Sequence, residues 1–317
     1  MHAPINRIGL GAWQLGADWA DLTDEQAAEI LLTAQKEGID FIDTADVYGA
    51  GLSESRIGVH MQKTGHRPFI ATKLGRLHGY PDGYSKALFE QCCHDSMERL
   101  GLDVLDLVQL HCIPTDRLRE GNVFDWLREI KKEGLIRDFG ASVESTEEAR
   151  LCLKQPGLAS LQIIFNVLRP NPISEIFEEC QSKGIKLIAR LPLASGLLAG
   201  KFTSKSTFPE SDHRQYNRNG EVFNVGETFA GLPFDVGVSL SEELGELFPQ
   251  KGTMAQQSLR WILDHPAISV VIPGASRPEH VKSNSAANTL KPLGKRMHDE
   301  LMIWSKNKSE PHIRGPR

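Results

Sequence analysis

Four ionisable residues stand where apolar runs end. Asp43 closes Phe41-Ile-Asp43 within GIDFIDTADVYGAGLSESRIG (residues 38–58), and Tyr48 follows five positions later in a glycine-rich loop. Lys73 ends Phe69-Ile-Ala-Thr-Lys73, and His111 ends Leu107-Val-Gln-Leu-His111. Together these types can move a proton at an oxygen. A free phenol titrates near ~10, and an ammonium beside it favours the phenolate and lowers that value. Lys73 would supply the ammonium, Asp43 would keep it charged and placed, and His111 would hydrogen-bond the reacting oxygen. Tyr48 would then be the general acid or base. Each residue also has a plainer reading, since a strand-end lysine normally reaches solvent and a lone histidine is usually structural. The joint reading prevails because the exits of successive strands converge on one face of an α/β fold.

The elements that must position these residues follow a repeated scheme. Thr23-Asp-Glu-Gln26 reads as a capping box. Ala27, Ile30, Leu31 and Ala34 then fall on one helical face. Gly38 closes that helix, and Gly101, Gly134 and Gly184 mark similar ends, each followed by an apolar run suited to a strand. Strands are predicted at 8–13, 41–45, 69–73, 107–111, 138–142, 161–166, 186–190 and 269–273. Eight strands joined by helices predict a single closed (β/α)8 barrel, the TIM-barrel class of α/β fold, spanning residues 1–317. No GxGxxG follows the first strand, which argues against a doubly wound dinucleotide domain. Ser53 is the predicted N-cap of a helix carrying Glu54 in its first turn. The gap after the seventh strand holds a segment, 195–251, read as an insertion covering the barrel mouth, with one helix near 240–247. Residues 294–317 combine one helical pattern (Met297, Leu301, Trp304) with a charged tail.

Composition excludes several other classes. The chain has 317 residues, 40% hydrophobic and 24% charged, as ordinary globular proteins do. Its net charge of -5, without a basic run, argues against a nucleic-acid partner. No long apolar segment predicts a leader or a membrane span. The five cysteines are odd in number and form no CxxC, which suits free thiols in a reducing cytoplasm. The eleven histidines lack metal-ligand spacing, so no metal site is expected.

The stretch from Asp43 through Tyr48 to Glu54-Ser-Arg-Ile-Gly58 resembles the signature of the aldo-keto reductases, nicotinamide-dependent carbonyl reductases. Asp43, Tyr48, Lys73 and His111 match that family's catalytic tetrad in type and order. The resemblance implies hydride delivery to a carbonyl carbon while Tyr48 protonates the oxygen, with a small aldehyde or ketone as substrate. It also implies NADPH, rather than NADH, as cofactor. Ser142 and Gln162 resemble the residues that bind the nicotinamide carboxamide, although Val143 replaces the asparagine common after the serine. Arg190 stands where many members stack a tyrosine on the nicotinamide. Leu193, Ser195, Gly196 and Gly200 resemble the pyrophosphate segment. Gly274, Ser276, Arg277, His280 and Asn284 resemble the adenosine-phosphate segment. Ser276-Arg-Pro-Glu279 reads as a capping box, so a helix is expected to start at Ser276. Ser276 and Arg277 either cap and face solvent or hold the 2′-phosphate of NADPH, and the resemblance favours the second. Trp13, at the exit of the first strand, is either a core aromatic or one wall of the substrate pocket.

Two other classes remain in view. One is a nucleotide-binding regulatory barrel resembling a potassium-channel β subunit, with little turnover. The other is a metal-dependent barrel hydrolase, which the scattered histidines disfavour. The intact tetrad favours the enzyme.

Overall fold

A computed structural model describes residues 6–16, 22–249 and 251–317. Eight strands are present: β1 Leu10–Gly11, β2 Phe41–Asp43, β3 Phe69–Leu74, β4 Leu105–His111, β5 Ile136–Ser142, β6 Ser160–Ile164, β7 Lys186–Arg190 and β8 Ile268–Val271. They pair in parallel in chain order, β1 to β8. Bridges Ile8↔Val271 and Gly11↔Gly274 join the first strand's segment back to the eighth. Backbone bonds support the seam: Gly9 N donates to Val271 O at 2.7 Å, and Val271 N donates to Arg7 O at 2.9 Å. The closed (β/α)8 barrel expected from the sequence is the architecture observed.

β1 is shorter than the expected 8–13. Its flanks close the seam, and Trp13 enters a short 3-10 turn, Trp13–Gly16. Close approach explains the glycine here, because a Cβ on Gly11 would stand 2.8 Å from Ile272 O. β6 likewise ends at Ile164, before Asn166, whose amide instead donates to Leu191 O at 2.9 Å.

Alternation along the strands builds the site. Successive side chains point to opposite faces, so residues two apart share a face. Phe41, Ala71, Leu107, Ile188, Val270 and Ile272 form a buried inner cluster. Two positions further along β2, β3 and β7 stand Asp43, Lys73 and Arg190, and Gln109 and His111 continue Leu107 along β4. A polar layer therefore sits directly on an apolar floor. Fully burying a large apolar side chain contributes roughly 1.5–3 kcal/mol, which offsets the cost of keeping charged groups above it. A second, larger core lies between the sheet and its helices.

The Thr23 capping box forms as expected. Gly38, Gly101, Gly134 and Gly184 all take positive φ, the step that ends a helix without strain in glycine. Ser53 is not an N-cap. The helix Leu52–Thr64 starts after Gly51, which takes positive φ, and Ser53 lies inside it, donating to Ala12 O at 2.9 Å. Glu54 is buried and paired with Arg99 at 2.7 Å, a structural role.

The segment after β7 contains the 3-10 turn Ala194–Ala199, the short helix His213–Tyr216 and the helix Phe234–Leu247. That last helix starts well before the expected 240, because Phe234, Gly237 and Val238 extend its buried face. The helix Lys295–Lys308 follows the pattern read from Met297, Leu301 and Trp304, with Leu301 buried. Among the described residues no helix is long and apolar enough to cross a membrane.

Candidate active site

The ends of β2, β3 and β4 bring the four expected residues together. Lys73 Nζ donates to Asp43 Oδ1 at 2.5 Å, to Thr44 O at 2.8 Å and to Tyr48 Oη at 3.1 Å. All three ammonium donors are therefore satisfied. The His111 ring meets the Tyr48 ring edge-on, with centroids 5.7 Å apart. Asp43 and Lys73 are buried, at 2% and 1% exposure, so each needs the other. Gln162 Nε2 donates to the second Asp43 oxygen at 2.6 Å, and Gln109 Nε2 lies 3.3 Å from it.

Electrostatics poise the groups differently from the sequence expectation. Burial lowers the Lys73 pKa, but Asp43 and Tyr48 outweigh it and the net shift is upward, keeping the ammonium charged. For Tyr48, withdrawal from water raises the pKa and Lys73 opposes it, and burial wins. The expected net lowering by Lys73 is thus corrected: the phenol stays protonated in this state. Burial, then Lys73, Arg76 and Arg190, hold the His111 pKa well below the usual histidine value. His111 is a neutral imidazole. Its Nδ1 is buried without a partner, which leaves Nε2 as the nitrogen facing the cavity.

That cavity, about 1040 Å³, runs from Trp13, Tyr48 and His111 to Ser276, Arg277 and Asn284. Trp13 stacks on Tyr48 at 5.9 Å and stands 4.9 Å from the His213 ring, so it is a pocket wall rather than a core aromatic.

Sequence reasoning missed the charged cluster beside the tetrad. Glu227, from the segment after β7, accepts from Arg76 Nη1 at 3.1 Å and lies 3.5 Å from Arg190 Nη1. Burial alone would raise the Glu227 pKa, but Arg76 and Arg190 hold it down to about 2. Neighbouring Glu144 is pushed up to about 7 by burial and by Glu227. Cys112, Glu144 and Glu227 place a thiol and two carboxylates within 4.8 Å of one another. Two guanidiniums already pair with Glu227 in that set, and burial pushes the Cys112 thiol up to about 12, so it is a poor metal cage.

The chain matches the Aldo/keto reductase family over residues 7–304. It belongs to that family. An oxidoreductase of Bacillus subtilis, YqkF, is 30% identical over 90% of this chain and 88% of its own length. Two further relatives have names that carry a cofactor. The aldo-keto reductase yakc [NADP(+)] of Schizosaccharomyces pombe is 27% identical over 90% of this chain and 85% of its own. The NADH-specific methylglyoxal reductase of Escherichia coli is 26% identical over 89% and 90%. Among solved structures, the aldo-keto reductase AKR11C1 from Bacillus halodurans, in its holo form, superposes with a TM-score of 0.73 at 26% identity, over 97% of this chain and 93% of that one.

The rest of this aldo-keto reductase's cavity can be tested against a nicotinamide cofactor. Besides His111 Nδ1, two buried polar atoms of lining residues, Arg190 Nε and Gln14 Oε1, lack partners. Gly274 lies against Gln14, where a Cβ would come within 2.4 Å of its amide. Lys201, Arg214 and Arg277 line the same groove. Unsatisfied donors and acceptors, close backbone and cationic side chains along one slot fit an elongated anionic dinucleotide.

The expected cofactor residues divide into two groups. Gln162, Arg190, Leu193, Ser195, Gly196, Gly274, Ser276, Arg277, His280 and Asn284 all line the cavity. Ser142 and Gly200 do not. The Ser142 hydroxyl is buried behind Gln162, donating to its Oε1 at 3.3 Å. Gly200 ends the 3-10 turn at positive φ, packed so that a Cβ would meet Met254 Sδ at 2.8 Å. Arg190 is fixed by Val143 O and Cys112 Sγ as well as Glu227. The Ser195 hydroxyl is spent on the loop, accepting from Phe229 N at 3.2 Å. The helix expected from Ser276 begins at Pro278 with Arg277 as an uncapped N-cap residue. His280 explains the difference: it lies 3.3 Å from Ser276 Oγ and accepts from Arg277 Nε at 2.9 Å, drawing Ser276 away from the helix amides.

Proposed function

We propose that this aldo-keto reductase reduces an aldehyde or ketone to the alcohol, with NADPH as cofactor and Tyr48 as general acid. The observation that carries the reading is Lys73 Nζ held between Asp43 and the Tyr48 hydroxyl, at 2.5 and 3.1 Å. When bound, the cofactor supplies hydride to the carbonyl carbon. The protein's part is at the oxygen. Tyr48 Oη and His111 Nε2 both face the cavity, and the carbonyl oxygen fits between them. Neutral His111 donates a hydrogen bond that orients it. Negative charge builds on the oxygen, and Tyr48 releases its proton there. Lys73 stabilises the phenolate left behind, and Asp43 keeps Lys73 charged through the step. Gln162 and Arg190 would hold the nicotinamide end, and Ser276 and Arg277 would hold the 2′-phosphate end.

A regulatory barrel without turnover would not require this proton-donor arrangement, so the tetrad supports the enzyme. The test is NADPH oxidation with a panel of aldehydes and ketones, for the wild type and for Tyr48→Phe. Removing general acid catalysis should lower kcat by ~10²–10⁴-fold while NADPH still quenches protein fluorescence. Tight cofactor binding without turnover of any carbonyl would point to the regulatory class instead.

A further inference from the structure

The cavity contains a cation that the tetrad does not use. Arg76 stands three residues beyond Lys73 and lines the cavity with Tyr48 and His111. Both Glu227 oxygens hold its Nη1, at 3.1 and 3.3 Å. Its guanidinium lies over the Phe223 ring, 5.0 Å from the centroid. The side chain is thus fixed before any ligand arrives, and little entropy is lost on binding. Its Nε and Nη2 make no hydrogen bond among the described residues, and neither is an enclosed atom. That pair of N–H groups is the edge that grips a carboxylate or phosphate through two parallel bonds.

Glu227 does not cancel this charge. It is shared between Arg76 and Arg190, so two guanidiniums face one carboxylate. Glu144, the nearest other acid, is pushed up to about 7 and is only partly ionised near neutrality. Asp43 is committed to Lys73. Arg214, further along, is paired with Asp212. The substrate end of the cavity therefore holds excess positive charge with an open edge.

We propose that Arg76 selects carbonyl substrates carrying a carboxylate or phosphate a few bonds from the carbonyl carbon. The inference rests on the carbonyl-reductase reading of this site. Trp13, Tyr48 and Phe223 supply the apolar walls for the carbon chain between the two polar ends.

The experiment compares kcat/KM for matched pairs: succinate semialdehyde against pentanal, and glyceraldehyde phosphate against glyceraldehyde. The wild type should prefer at least one anionic member, and added salt should raise KM for that member alone. Arg76→Met should reduce the anionic-to-neutral ratio by about 10- to 100-fold, the worth of a charge-assisted pair. Arg76→Lys, which keeps the charge without the fork, should fall between the two. The ratio is internal to each variant, so partial misfolding does not mimic the effect. Loss confined to the carboxylate pair or to the phosphate pair identifies the group. Reduction of the neutral members with no anionic preference, or an unchanged ratio in Arg76→Met, overturns the role of Arg76 and leaves the reductase intact. Failure of the wild type to reduce any member overturns both.

Discussion

Gln162 donates its side-chain amide to Asp43 Oδ2 at 2.6 Å, so Asp43 is gripped on one oxygen by Lys73 and on the other by Gln162. The pair is 119 residues apart in the chain and joins β2 to β6 across the barrel interior. A buried carboxylate left partly unpaired costs about 1–3 kcal/mol. Gln162→Leu should therefore lower Tm by several degrees, taking roughly 2–4 °C per kcal/mol. A melting curve that matches the wild type would show that Gln109 alone satisfies that oxygen.

The pH dependence of reduction follows from two opposed shifts. Burial holds the Tyr48 pKa above its ordinary value despite Lys73, so the proton-bearing form persists through neutral pH and past about 10. His111 is depressed well below its ordinary value of about 6.5, so it is neutral through the whole neutral range. With chemistry rate-limiting, kcat should be flat from about pH 6.5 to about 10 and fall only on the alkaline side. Stopped-flow single turnovers across that range test it. A limb near pH 7 would mean that a group other than these two controls the proton.

What could be read from the chain depended on whether local pattern carried the information. Asp43, Lys73 and His111 end apolar runs, and period-two alternation alone puts them above Phe41, Ala71 and Leu107 on one inner face. Helix ends were legible because Gly101 and Gly134 mark a backbone step few other residues take. The Arg76–Glu227 pair spans 151 residues, and Glu227 sits in a segment without periodicity, so no local signal announced it. The Ser276 cap failed for a related reason. Its motif was present, but His280 competes for the hydroxyl, and that geometry exists only once the turn has folded.

The proposed preference for NADPH rests on Arg277. It lines the cavity at the start of the helix Pro278–Ser285, with Nε tied to His280. That bond orients the remaining guanidinium nitrogens without consuming them. If they hold the 2′-phosphate, Arg277→Ala should weaken NADPH binding about tenfold or more and leave NADH nearly unchanged. Fluorescence titration with both cofactors measures this. Equal losses for both would place Arg277 elsewhere on the cofactor, and no loss would remove it from the site.

The segment that supplies Phe223 and Glu227 is held by the chain's far end. Phe229 and Ala230 take φ of 54° and 57°, followed by Gly231 at 88°. Two consecutive non-glycine residues in the left-handed region cost on the order of 1–3 kcal/mol each and persist only when their surroundings fix them. Ser195 Oγ fixes one side by accepting from Phe229 N. Arg314 fixes the other. Its backbone N and its Nε both donate to Gly231 O at 3.1 Å, and its Nη1 reaches Asn219 Oδ1 at 3.0 Å. Its Nη2 lies 3.3 Å from both Arg218 O and Leu232 O. One side chain thus ties both ends of the stretch from 218 to 232. Arg314→Ala should let that stretch relax, and Glu227 would then lose its fixed position against Arg76 and Arg190. Hydrogen exchange should quicken across 218–232 in the variant while the barrel strands keep their protection. NADPH should restore part of that protection if the segment closes over bound cofactor. Unchanged exchange in Arg314→Ala would show that Ser195 and the local packing hold the strained turn without the tail.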